Sequence, residues 1–503
     1  MTSDNESRIG PDDPRYRAVV DKQFNKRFRA TPDYVRLAQS PADVVAALDD
    51  AVRENRRVVA TSGGHCLEGF VSDPDVRVIV DISPMKAIYH DAERNAIAVE
   101  SGATVGETFQ TLAEKWGTVI PLGEYPGVGI GGHVLGGAFG FLCRQLGLAA
   151  DYLFGIEVVT VDADGRNRAV VATREDSGDL LDLWWAHTGG GGGNFGIVTR
   201  YWFRDREVAT GDPARLLPQA PASIATLRAE WEWDATDEQT FLQLMRNHGA
   251  WSEQTSAADS ELSSLWTLFE LHRREFGKII IRGVSTAGAA ARAQFDRLLS
   301  ALGDGASPPA KVVSEEMSWL DFALNPLPDL FSGGPPGGVS TKVKDAIVKR
   351  AFTDAQIRAI YHHLTRTDVT MPGGMFGLAS YGGRVNTRST DATAAPQRGG
   401  ILDVACNVGW IDPAEEARSL EWARSFYRDL FSSTGGVPVP GDAYDGALIN
   451  HPDTDLADPR WNTSGVPWSA LYYQENYSRL QRVKARWDPR NIFHHALSIQ
   501  PLL

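Results

Sequence analysis

Three glycine-dense turns crowd the first part of this chain: "TSGGH" (61–65), "PGVGIGGHVLGGAFG" (126–140) and "HTGGGGGNFG" (187–196). Glycine is placed where backbone must approach something closely or take a positive φ. One such turn says little. Three within about 140 residues imply a large ligand met by backbone from several sides, with phosphates the natural partner of bare amides. His65 ends the first turn, behind the apolar run Val58-Val59-Ala60, and is the side chain best placed to touch that ligand. "GVGIGG" fits a dinucleotide fingerprint only when shifted, without the usual flanking strand, helix and acidic residue, and no GxxxxGK[ST] loop occurs.

The residues around these turns read as a mixed α/β region. Ser40 and Pro41 start a helix that carries Val44, Val45, Leu48 and Val52 on one face. Thr104 and Glu107 have capping-box spacing for a second helix that stops at Gly117. Strands are expected in 58–60, 76–83, 96–103, 156–166 and 192–204. Beyond residue 206 the character changes. "DPARLLPQAPAS" looks like a linker, and strands ("KIIIRGVST", "GILDVACNVGWID") then mix with helical patterns such as "TDAQIRAIYHHLTR". Segments 302–310, 326–338 and 434–443 are expected as surface loops. A basic helix in "YSRLQRVKARW" ends before Asp488-Pro489 and is expected to dock back on the first domain.

A chain of 503 residues exceeds one small core. Its net charge of −14 argues against a nucleic-acid partner, and no apolar run is long enough to span a membrane. The polar, acidic N-terminus has no signal-peptide core, so a cytoplasmic location is expected. Cys66, Cys143 and Cys406 have no zinc-ligand spacing, and neither His pair (362–363, 494–495) has a matching carboxylate, so no metal is expected.

Together "TSGGH", "GVGIGGHVLGGAFG", "RQLGLAADYL", "WWAHTGGGGGNFGIVT", "SYGGRVN", "NHPDTDL" and "ENYSRLQRVKARWDPRNIF" carry a family likeness over essentially the whole chain. The chain resembles the berberine-bridge-enzyme-like flavin oxidases of the vanillyl-alcohol-oxidase fold, among the tailoring oxidases of antibiotic pathways. The resemblance implies an α+β fold in which a two-part FAD-binding domain (1–205 plus the returning C-terminal segment 441–503) flanks an inserted substrate domain (206–440). That substrate domain is implied to be an antiparallel sheet backed by helices. It also implies FAD held by a single covalent bond from His65, whose neutral imidazole attacks the C8α methyl. Thr61, Ser62, Gly63, Gly64, Cys66, Gly123, Tyr125, Gly129, Gly132, His133, Gly137, Asn194, Gly196, Val198 and Asn476 complete the implied cofactor set. Many members add a second bond from a cysteine, and Tyr125 occupies that position here. Val128 and His133 match positions that favour access of O2.

Alcohol oxidation needs a group to take the hydroxyl proton while hydride leaves carbon. Phe139 stands where the family often has Tyr, and Thr390 where plant members carry a catalytic Glu; Asp391 beside it would face the other side of a strand. Tyr472 and Tyr381 are the tyrosines expected to act, each with its pKa lowered from about 10. The activity implied is FAD-dependent oxidation of an alcohol, sugar hydroxyl or amine carbon in secondary metabolism, on a small and possibly glycosylated substrate with O2 as acceptor. Alternatives are an oxidative cyclase or oxygenase, a dehydrogenase with another acceptor, or a non-catalytic flavin or metabolite binder.

Overall fold

The computed structural model describes residues 7–208, 211–327 and 338–502. Sixteen strands among the described residues form three sheets. In the first, β1 (Arg8–Ile9), β2 (Tyr34–Leu37), β4 (Val78–Asp81) and β3 (Val58–Thr61) lie in that order, with β2, β4 and β3 parallel. The second is antiparallel in the order β5 (Ile88–Asp91), β6 (Ala96–Glu100), β9 (Ile197–Phe203), β7 (Leu153–Val161) and β8 (Asn167–Thr173). The third is also antiparallel: β13 (Lys311–Ser318), β10 (Ser223–Glu232), β12 (Lys278–Ser285), β11 (Leu265–His272), β15 (Gly374–Ser380), β16 (Leu402–Trp410) and β14 (Ser340–Val348). This is the α+β architecture the resemblance implies.

Local chemistry accounts for the helix boundaries. The Ser40 hydroxyl accepts from the Asp43 amide, with Pro41 at the first position of helix Pro41–Arg53. Its buried face is Val44, Ala47, Leu48 and Ala51, rotated slightly from the expected stripe of Val44, Val45, Leu48 and Val52, with Val45 and Val52 half-buried at its edge. Thr104 and Glu107 cap helix Val105–Trp116 reciprocally, and Gly117 ends it at φ 66°.

The third sheet positions the site through its pleat. Leu268 of β11, Met375, Gly377 and Ala379 of β15, Asp403, Ala405 and Asn407 of β16, and Thr341 and Val343 of β14 turn one face to a cavity. Alternate residues point the other way, where Trp422 and Phe426 of helix Glu416–Leu430 are buried. The C-terminal helix Tyr477–Trp487 reaches back to the first region: Lys484 Nζ donates to the Asn194 carbonyl at 2.8 Å and Arg479 pairs with Asp182 at 2.5 Å.

Two loop expectations change. Segment 212–223 is packed down instead of free, with Leu216 and Leu217 buried and the Pro218 carbonyl accepting from the Val119 amide. Within 434–443, Gly436, Val437 and Pro438 are buried, whereas most of 304–310 is exposed. Of the loop expected at 326–338, residues 328–337 lie outside the described residues.

Candidate active site

All three glycine turns border one cavity of about 1440 Å³. Gly63 and Gly64, then Gly129, Gly131 and Gly132, then Gly191–193 and Gly196 line it in turn. That volume exceeds the roughly 300–1,000 Å³ usual for small-molecule pockets, as a dinucleotide plus substrate requires. Some of the glycines serve the turns themselves. A Cβ on Gly63 would lie 2.3 Å from the Gly129 amide nitrogen, so the first two turns touch backbone to backbone. Gly132 differs: it lines the cavity, and a Cβ there would meet no atom within 4 Å.

His65 lies beside Phe24, ring on ring at 4.8 Å and 16°, and 5.1 Å from the Tyr125 ring. Burial pushes its pKa down to about 4, so the imidazole is neutral and keeps a nitrogen lone pair free of a proton. The neighbouring Cys66 thiol donates to the Glu68 carbonyl at 3.1 Å and is pushed up to about 11 by burial, which leaves it protonated and unreactive. His133 Nε2 accepts from the Gly123 amide at 2.8 Å and staples the second turn.

Thirteen of the expected cofactor residues border the cavity: Thr61, Ser62, Gly63, Gly64, His65, Cys66, Gly123, Tyr125, Gly129, Gly132, His133, Gly196 and Val198. Gly137, Asn194 and Asn476 do not. Asn194 donates to the carbonyls of Gly190 and Gly191 and accepts from the Ile499 amide, which shapes the third turn from behind. Asn476 donates to the carbonyls of Thr390 and Thr393, and Gly137 packs near Ala395.

The two expected catalytic tyrosines also lie off the cavity, a correction with a plain physical cause. Tyr381 is fully buried behind Phe139, ring centroids 5.8 Å apart, and its hydroxyl donates to the Gln397 carbonyl at 3.0 Å. The Tyr472 hydroxyl accepts from the Asp453 amide at 2.8 Å. Burial raises both phenols well above their usual range instead of lowering them. Thr390 and Asp391 are on an exposed turn and not on a strand.

The cavity's titratable groups are different ones. His451, with its side chain 28 % exposed, lines the cavity edge-on to Phe139 at 6.2 Å. Behind it Asp345 Oδ2 lies 3.8 Å from Nδ1, an ion-pair distance longer than a hydrogen bond, and is itself held by the Leu448 amide at 3.0 Å. Glu124 and Asp403 line the same cavity. Burial alone would lower the His451 pKa, but the Asp345, Asp403 and Glu124 carboxylates outweigh it and hold the ring at about 9. Burial pushes Glu124 up to about 7, and burial with Asp345 nearby pushes Asp403 up to about 8. His451 sits within the quoted "NHPDTDL", and Glu124 lies two residues before the second glycine string. Asp345 and Asp403 carry no sequence signal, since only the pairing of Ile347 with Asp403 across β14 and β16 brings them together.

The surroundings of His451 are pinned by a buried ion network. Lys342 Nζ meets Glu68 at 2.5 Å and Asp453 at 2.6 Å, Lys344 meets Asp453 and, at 3.0 Å, Asp455, and Arg424 meets Asp455 at 2.8 Å.

Family models for "FAD binding domain" and "Berberine and berberine like" match residues 32–169 and 447–500. The aclacinomycin-N/aclacinomycin-A oxidase of Streptomyces galilaeus is 46% identical over 490 residues, covering 97% of this chain and 89% of that protein. The crystal structure of aclacinomycin oxidoreductase superposes with a TM-score of 0.95 at 45% identity, covering 98% of this chain and 99% of that one. A glycopeptide hexose oxidase solved with teicoplanin gives 0.93 at 44% identity, covering 98% of both chains.

Proposed function

This chain belongs to the berberine-bridge-enzyme-like FAD-linked oxidases, and from that premise we propose that it oxidises a hydroxyl group on a glycosylated or polyketide natural product, with FAD tethered through His65 and O2 as acceptor. The relatives are named as an aclacinomycin oxidase and a glycopeptide hexose oxidase solved with teicoplanin, which supports that substrate class. When bound, FAD supplies a hydride acceptor that O2 can reoxidise. The chain's own part is to hold that group between the three glycine turns and to move a proton.

The single observation carrying this reading is that the cavity bordered by those turns is also lined by His451, which buried Asp345 backs from outside the lining. Nδ1 faces Asp345, so Nε2 is the atom proposed to take the hydroxyl proton. Asp345 stabilises the imidazolium that results, as a buried carboxylate does behind any catalytic histidine. His65, neutral and flanked by Phe24 and Tyr125, is the proposed tether, and Tyr125 contributes ring contact where a second bond is absent.

The test is anaerobic addition of glycosylated polyketides to the purified yellow protein. Bleaching of the visible flavin band, with recovery and peroxide release in air, is the expected result. Bleaching without recovery in air would show a different acceptor and overturn the O2 assignment. Colour unchanged by every substrate offered, with FAD itself reducible by dithionite, counts against a hydroxyl-oxidising site.

A further inference from the structure

We propose that Glu124 and Asp403 form an ammonium-binding subsite, so that the substrate carries a protonated amine near the group being oxidised. The inference rests on the oxidase reading above and narrows its substrate to basic molecules such as amino sugars.

Behind β14, Lys342, Lys344 and Arg424 are matched by Glu68, Asp453 and Asp455. On the cavity side, Asp345, Asp403 and Glu124 share one imidazole, and His451 gives its nearest contact to Asp345. Among the described residues no lysine or arginine pairs with Glu124 or Asp403. The basic residues that do border the cavity, Arg17, Lys22, Lys26 and Arg29, come from the N-terminal segment packed on the first glycine turn. Lys22 is already engaged there, 2.6 Å from Asp81 and 3.1 Å from the Ser62 carbonyl.

Asp403 adds an independent sign of a missing partner. It is 5% exposed, lines the cavity, and its Oδ1 has no hydrogen-bond partner. Buried acceptors of this kind are nearly always satisfied, so something outside the chain is expected to donate to it. Glu124 lines the cavity from a different segment, just before the second glycine turn, and the two carboxylates feel each other electrostatically. A group lying between them is therefore held by two walls at once, as a substrate is and a structural ion need not be. An ammonium offers three donors and full charge-assisted strength to such oxygens.

A metal ion is the competing cation, since one ligand atom each from Asp345, Asp403 and His451 lie within 4.8 Å of one another. The ammonium is favoured because a metal would need the imidazole proton-free beside Asp345, and it would leave Glu124 outside the cluster unmatched.

Calorimetric titration of the holoenzyme with methyl glucosaminide, its N-acetyl derivative and methyl glucoside tests this without turnover. The amine is expected to bind about tenfold or more tighter than either neutral sugar. Asp403→Asn and Glu124→Gln, each keeping its flavin, are expected to erase most of that preference. Equal binding of the three ligands, or a preference unchanged in both variants, overturns the proposal. So does one equivalent of transition metal in the purified protein that disappears in Asp403→Asn. Failure of the oxidase reading would show separately, as a flavin that no substrate bleaches while the amine preference stands.

Discussion

Gly63 and Gly129 meet backbone to backbone: a Cβ on the first would lie 2.3 Å from the amide nitrogen of the second, and one on Gly129 would lie 2.2 Å from that of Gly63. Nothing flexible can yield at that contact. Gly63→Ala is therefore expected to destabilise the protein by roughly 2–5 kcal/mol in denaturant unfolding. Gly132→Ala should behave oppositely, since its Cβ would meet no protein atom within 4 Å. The flavin-free protein should unfold at nearly its usual temperature, while the flavin-to-protein absorbance ratio of the loaded protein drops. Equal loss of stability in both variants would refute the distinction.

His65 carries the second prediction. A neutral ring with an available lone pair is what a covalent tether requires, and burial keeps it neutral down to about pH 4. Acid precipitation of the wild type should leave yellow colour with the polypeptide, and His65→Ala should release it all to the supernatant. Free flavin from the wild type would end the covalent assignment. Tyr125 stands where a cysteine would give a second bond, so no colour should persist in the variant.

His451 links rate and stability to pH with opposite signs. Its folded pKa, about 9, exceeds the ordinary value of 6.5. The stability it contributes is thus complete below about pH 6.5 and is lost as pH rises through about 9. As a base it must be proton-free, so the rate of flavin reduction should climb over that same window. Asp345, Asp403, Glu124 and His133 all face this ring and will broaden the curve. His451→Gln should flatten the profile and slow reduction about 10²–10⁴-fold. Tyr381→Phe and Tyr472→Phe should keep the wild-type profile and cost about 1 kcal/mol of stability, the worth of one hydrogen bond.

What was legible in the sequence is what local geometry determines. Ser40 with Pro41, Thr104 with Glu107, and Gly117 each act within one turn of chain, and each does what its residue type dictates. The glycine strings were legible for the same reason, and family likeness ordered them. The cluster of titratable groups around His451 was not. Glu124, Asp345, Asp403 and His451 come from four distant segments, and only strand pairing and the return of the C-terminal segment make them neighbours. Tyr381 and Tyr472 misled because a buried phenol has the same sequence signature whether it serves a backbone group or a substrate. Asn194 and Asn476 brace loops through their side-chain amides, a use whose sequence pattern is the same as that of an amide holding a ligand.

The last prediction concerns Lys342, which joins the two halves of the site. Its ammonium is 2.5 Å from Glu68, two residues beyond Cys66, and 2.6 Å from Asp453, two residues beyond His451. All three side chains are nearly inaccessible, so removing one partner strands charge in a low-dielectric setting. Lys342→Met should cost about 3–5 kcal/mol in urea unfolding. Lys344 still holds Asp453 from the other side, so the orphaned group is chiefly Glu68. Adding Glu68→Gln to Lys342→Met should then restore more than half of the loss, whereas the two single costs would simply add if the pair were not coupled. A purely additive double mutant would mean that the network is packing rather than charge pairing, and that His451 is positioned by Tyr472 and the Leu448 segment alone.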